Sequence, residues 1–280
     1  MRRALVLAGG GVAGIAWELG VLRGIADVAP GSASALLDAD VIVGTSAGSA
    51  VAAQITSDVP LSALYAAQLQ PEHHEIDIEL SWDALMDRFA MVAARASSVR
   101  DLRRRIAGLE RFTDVDEAAR HRAILARLPV PQWPDRPIRL AAVDAGSGDL
   151  VAFDAESGVN LVDAVAASCA VPCVWPQVVI DGRAYVDGGI PSNANVHLAA
   201  DCSRVVVIAP TAPDAPTPFD RWVKELDRLT PERLLRIHAD PISVTSFGTN
   251  PLSPATRAPA ARAGRQIGRQ HAEHLAAFWR

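Results

Sequence analysis

One serine, Ser46, stands between two glycines in DVIVGTSAGSA, residues Asp40–Ala50. Gly44-Thr45-Ser46-Ala47-Gly48 fits the pattern G-x-S-x-G, with a β-branched run before it and a small-residue helical stretch after it. At such a junction the serine must adopt a strained backbone to project its hydroxyl off the strand end. Side chains two residues to either side would strike the turned chain, which calls for Gly44 and Gly48. The helix N-terminus that follows favours negative charge developing beside the hydroxyl. The chemistry implied is nucleophilic attack, and the plainer reading is a serine N-cap in a βα turn. A base and a set of oxyanion donors would decide between them.

Donors are offered by LVLAGGGVAG, Leu5–Gly14, where Gly9, Gly10 and Gly11 leave successive amides unshielded to converge on one anion. Gly9, Gly11 and Gly14 also fit the dinucleotide fingerprint G-x-G-x-x-G. That rival wants an acidic residue at the end of the second strand, where Gly44-Thr45-Ser46 stands instead, while Asp38 and Asp40 lie at its start. For the base, His73, His74, His121, His197, His238, His271 and His274 all follow Ser46 in the chain. None sits in a glycine-framed turn at a strand end, and each reads as structural or superficial. Asp187 is the better candidate: RAYVDGGIPSN carries it off a short strand into Gly188-Gly189, which turns the chain and leaves the carboxylate at the strand end. The competing reading is ordinary Asp-Gly turn chemistry.

Three motifs therefore stand in order: Gly9–Gly14, Gly44–Gly48 and Asp187–Gly189. Together they closely resemble the patatin-like phospholipase family. The segment Ala167–Ala200, ASCAVPCVWPQVVIDGRAYVDGGIPSNANVHLAA, is similar to that family's approach to its aspartate. The resemblance spans about residues 4–209. It implies a three-layer α/β/α fold around a mostly parallel central sheet. It also implies a Ser46–Asp187 dyad without histidine, an oxyanion hole from Gly9–Gly11, and lipid acyl hydrolysis through an acyl-enzyme intermediate. Neither a cofactor nor a metal is implied. Ala13 stands where the family usually carries a basic residue, which keeps the backbone donors but removes positive potential near a phosphate.

The elements that must position these groups follow from pattern. Strands are expected at Ala4–Ala8, Asp40–Val43, Ile138–Val143, Leu150–Asp154, Val178–Ile180, Ala184–Val186 and Arg204–Ala209. Helices are expected at Gly14–Val28, Ala47–Ile55, Leu161–Ser168, Phe219–Leu229, Pro231–Ala239 and after Pro254. Residues 61–127 form a helical insert with a polar break at Gln70–Glu79. Strand and helix alternate, and the strands are continuously apolar, so the sheet is parallel and covered on both faces. Residues 1–209 make the catalytic domain, and 210–280 a helical extension packed on it. Within the insert, Trp82, Leu85, Met86, Phe89 and Met91 to Val92 broadly fit one helix face, which either packs on the core or walls an acyl groove.

Composition bounds the rest. The 280 residues, 50% hydrophobic, suffice for a sizeable core. A net charge of -5, with Lys224 the only lysine, gives no footprint for nucleic acid. Cys169, Cys173 and Cys202 read as core thiols, without a disulfide framework or a metal cluster. The opening MRRALVLAGGG is broken by glycines too early for a secretory signal, and no apolar run reaches membrane-spanning length. The expected partner is a lipid or acyl-ester substrate, met in the cytoplasm with peripheral membrane contact. A non-catalytic lipid-binding protein of the same fold and a dinucleotide-binding oxidoreductase are the alternatives.

Overall fold

The computed structural model describes residues 2–226 and 233–279. The chain begins with β1 (Arg3–Leu7), passes through α1 (Gly11–Val28) and α2 (Pro30–Leu37) to β2 (Val41–Thr45), then turns into α3 (Ala47–Ile55) and α4 (Leu61–Gln68). The insert carries α5 (Trp82–Ala93), α6 (Val99–Ala107) and α7 (Glu117–Arg127). Next come β3 (Ile138–Asp144), β4 (Leu150–Phe153), α8 (Leu161–Ser168) and the hairpin β5 (Val178–Ile180) and β6 (Arg183–Asp187). β7 (Arg204–Ala209), α9 (Asp220–Leu226), β8 (Leu234–His238), α10 (Pro241–Ser246) and α11 (Arg257–Trp279) follow.

The parallel part of the sheet runs β3-β2-β1-β7-β8, with β4, β5 and β6 added antiparallel beside β3. β1 is central, and strand order reverses there: β2 and β3 lie on one side, β7 and β8 on the other. Clefts open at the carboxyl ends of strands where order reverses. Both the glycine run after β1 and Ser46 after β2 lie at such ends.

The period-2 alternation of β1 builds the layers. Leu5 and Leu7 face the large core with residues of α1, α3, α8 and α11, while Ala4 and Val6 face the segment 194–202. Ala107 of α6 covers Val143 and Val186 on that second face. The result is a three-layer α/β/α fold.

α1 and α11 approach unusually closely. A Cβ on Gly20, Gly24, Gly264 or Gly268 would lie 2.0–2.3 Å from a backbone oxygen of the opposite helix. Glycine at those four positions is what allows the backbones to meet. Asp27 of α1 then accepts from Arg265 at 2.7 Å and Arg269 at 2.8 Å, and these arginines hold its carboxyl below the usual range.

Several elements depart from the sequence reading. The helix expected at Pro231–Ala239 is, in its described part, the edge strand β8. LLRIH buries Leu235 and Ile237 on either side of a half-exposed Arg236, and this alternation overrides the helix-start signal of Pro231. The helix expected at Phe219–Leu229 appears as α9, and 227–232 lie outside the described residues. The short helices α2 and α10, each with proline in its first turn, were not expected. β2 runs on to Thr45 and α1 starts at Gly11, so both reach further toward the site than the pattern indicated. Among the described residues, no helix is long and apolar enough to cross a membrane.

Candidate active site

Sheet register brings the serine and the aspartate together. Thr45 of β2 pairs with Ala141 of β3, and Asp187 of β6 pairs with Ala142. β4 occupies the other edge of β3 at these positions, so β6 continues the same edge where β2 ends. Two consecutive residues of one strand thus hold the ends of the strands that carry Ser46 and Asp187.

Ser46 has φ 53° and ψ −115°, a backbone that only the surrounding structure can impose on a residue with a side chain. A Cβ on Gly44 would meet Gly48 O at 2.6 Å, and one on Gly48 would meet Leu7 O at 2.1 Å. Both glycines are sterically required, as the elbow pattern demands. The turn is held by Ser168, whose Oγ accepts from the Ser46 amide at 2.9 Å, and by Cys169, whose thiol donates to Ser46 O at 3.1 Å. Ser46 itself is 7% exposed.

Asp187 Oδ1 accepts from the Gly189 amide at 2.8 Å, while Oδ2 is buried without a hydrogen-bond partner among the described residues. Burial drives the carboxyl up to about 6; the Ser46 hydroxyl, the Gly189 amide and the Arg120 charge each pull it partly back. The Ser46 hydroxyl is thus near enough to Asp187 to favour its charged form. Gly188 is required because a Cβ there would meet Ala141 O at 2.3 Å.

The residues after the Asp-Gly-Gly turn clamp the three motifs together. Asn195 Nδ2 donates to Thr45 Oγ1 at 3.1 Å and to Gly188 O at 2.9 Å, tying the serine turn to the aspartate turn. Asn193 Nδ2 donates to Gly9 O at 2.8 Å. The Gly9 amide in turn donates to Asn193 O at 2.9 Å. Of the three glycines expected to supply oxyanion donors, Gly9 thus shapes the turn with its amide already bonded to Asn193 O. Among the described residues, the amides of Gly10 and Gly11 have no acceptor, and Gly11 lines the cleft at Ser46.

That cleft is narrow, with room for about 10 Å³, roughly one water. Val12, Ala47, Cys169, Val171, Trp175 and Leu252 line it with Ser46 and Gly11, as do two arginines of α7. Arg127 forms a two-pronged pair with Glu75 at 2.9 and 2.6 Å. Arg120 is 5% exposed and lies 4.0 Å over the Trp175 ring. Burial, followed by the Arg127 charge, lowers it to about 9. The sequence reading singled out none of Arg120, Arg127 and Glu75. Ser168, Asn193 and Asn195 lay inside the quoted segment before and after the aspartate, but carried no individual signal. Among the described residues, no histidine lines the cleft. His121 contacts Asp163 at 3.2 Å and His238 contacts Thr211 O at 3.2 Å. Cys169, Cys173 and Cys202 are buried free thiols. Ala13 is buried on α1, where its amide donates to Pro251 O at 3.0 Å.

The family model for patatin-like phospholipase matches residues 5–200. No curated protein sequence matches the chain. Among solved structures, VipD from Legionella pneumophila is 14% identical with a TM-score of 0.49, over 98% of this chain and 67% of that one. The type III effector protein ExoU is 13% identical with a TM-score of 0.45, over 98% of this chain and 53% of that one. A chain of the SpcU–ExoU complex from Pseudomonas aeruginosa is 14% identical with a TM-score of 0.43, over 98% of this chain and 52% of that one. This chain therefore spans about half the length of those last two.

Proposed function

The chain belongs to the patatin-like phospholipase family, and from that premise we propose that it is a lipid acyl hydrolase with Ser46 as nucleophile and Asp187 as general base. The observation that carries the assignment is the positive-φ Ser46 at the β2–α3 elbow, near a buried Asp187 whose Oδ2 has no hydrogen-bond partner among the described residues. Asp187 takes the Ser46 proton as the hydroxyl attacks an ester carbonyl. The tetrahedral oxyanion is received by the Gly10 and Gly11 amides at the start of α1, where the helix dipole adds to them. The alcohol leaves with the proton from Asp187, and water hydrolyses the acyl-Ser46 ester by the same route. With burial holding Asp187 near 6, the carboxylate is a stronger base than a solvated aspartate and still ionised at neutral pH.

In this reading the narrow cleft widens before an acyl chain enters, and Trp175 and Leu252 are two of its walls. The insert helices pack Leu85, Phe89, Leu102 and Ile106 with Trp175 and Leu252 in one cluster, so movement of the insert would couple directly to that opening. Peripheral contact with a membrane surface through the insert is part of this proposal.

The test is hydrolysis of a chain-length series of p-nitrophenyl esters by wild type and Ser46→Ala. Turnover by wild type and its loss in the variant are expected. Equal turnover by both proteins would remove Ser46 as nucleophile, and an inactive wild type that still binds lipid would favour a non-catalytic lipid-binding protein.

A further inference from the structure

Neither cleft arginine takes part in the proposed reaction, and of the two it is Arg127 that is paired with a carboxylate. Arg120 is nine-tenths buried or more, yet Nε and Nη1 have no hydrogen-bond partner. Its one hydrogen bond among the described residues, from Nη2 to Cys169 O, is long at 3.3 Å. A buried guanidinium with idle donors is costly unless a ligand claims them. Glu75 is paired with the neighbouring Arg127, and Glu75 and Asp187 reach Arg120 by charge alone, leaving its Nε and Nη1 donors unused among the described residues. The guanidinium carbon lies 4.0 Å from the centre of the Trp175 ring, a cation–π contact that uses none of its N–H groups.

We propose that Arg120 is the recognition point for a phosphoryl group held beside the ester that Ser46 attacks. A planar fork with free Nε and Nη1 suits two oxygens of one phosphate. Arg120 and Ser46 line the same narrow cleft, so an anion on Arg120 lies within the span of one small head group from the nucleophile. The proposal rests on the hydrolase reading and names a substrate determinant for it: esters whose alcohol carries a phosphate over matched neutral glycerides.

The experiment compares kcat/KM for a short-chain phosphatidylcholine and for diacylglycerol with the same acyl chains, in wild type, Arg120→Gln and Arg120→Lys. Wild type favours the phospholipid, and the ratio falls about 10- to 100-fold in Arg120→Gln, the scale of a lost charge-assisted pair. Arg120→Lys keeps the charge but not the fork, and recovers only part of the ratio. In parallel, inorganic phosphate is titrated into Ser46→Ala and Ser46→Ala/Arg120→Gln, with thermal stability as the readout. This arm needs no turnover. Stabilisation that requires Arg120, together with the altered ratio, assigns a lipid head group. Arg120-dependent stabilisation without any change in ratio assigns free phosphate as the ligand of the same site. An unchanged ratio with no Arg120-dependent stabilisation overturns the proposal while leaving the hydrolase reading intact. If Arg120→Gln does not fold, wild type and Arg120→Lys decide by the same two readouts. Should wild type hydrolyse no ester, the hydrolase reading fails, and the phosphate titration still tests Arg120.

Discussion

Replacing Asp187 by asparagine should destroy hydrolysis and stabilise the protein, in a pH-dependent way. In the folded chain the Asp187 carboxyl titrates near 6, raised from an ordinary value of 3.8 chiefly by burial. That difference corresponds to about 3 kcal/mol of folding free energy lost when the group ionises. The sign follows from proton binding. Below 3.8 the carboxyl is protonated in both folded and unfolded chains and costs nothing. Between 3.8 and 6 the folded chain binds the extra proton, so stability falls as pH rises, and above 6 the whole cost is present. Asparagine keeps an acceptor for the Gly189 amide and escapes the charge. Asp187→Asn should therefore exceed wild type by up to about 3 kcal/mol at pH 8, which for a chain of this length is about 5 °C in Tm. The advantage should vanish near pH 4. Circular dichroism melts from pH 4 to 8 measure it. Wild-type kcat/KM should rise with pH through a midpoint near 6, because the base must be ionised. A stability difference that does not change between pH 4 and 8, or an activity profile flat across pH 6, would refute the reasoning.

Two further outcomes follow from the elbow. Ser46→Gly should be inactive but more stable than Ser46→Ala by about 1 kcal/mol in thermal melts, since only glycine adopts φ 53° without strain. Gly48→Ala should lower Tm by several degrees and abolish hydrolysis, because its Cβ would press on Leu7 O of the neighbouring strand and the backbone must shift. An alanine protein with wild-type Tm would show that α3 docks less tightly than described.

The parts of the site legible in the sequence are those where sterics dictate residue type locally. Gly44, Gly48 and Gly188 each face a backbone oxygen too close for a Cβ, so each leaves a glycine in the chain. Asp187 was visible through the turn that follows it. Function by hydrogen bonding is different, because backbone donors look alike in a sequence. Gly9 could not be separated from Gly10 and Gly11 until Asn193, far along the chain, was seen to take its amide. Arg120 was hidden for another reason. Arginine supplies nearly all the positive charge here, so no single arginine stands out until α7 docks it over Trp175. β8 was misread because a proline at its approach outweighed five residues of alternation.

The glycine contact between α1 and α11 has a consequence for the order of events during synthesis. Ribosomes release the N-terminal motifs first, and residues 4–209 hold the groups assigned to chemistry. Yet the glycine turn leans on late chain: Pro210 and Leu252 pack against Gly10 and Gly11, and Pro251 O takes the Ala13 amide. α1, which begins in that turn, finds its closest partner only in α11. The nascent chain therefore carries Ser46 and Asp187 long before the loop beside them can settle. If Ser46 and Asp187 act as proposed, their site is complete only once residues 251–252 and α11 have docked on the glycine turn and α1.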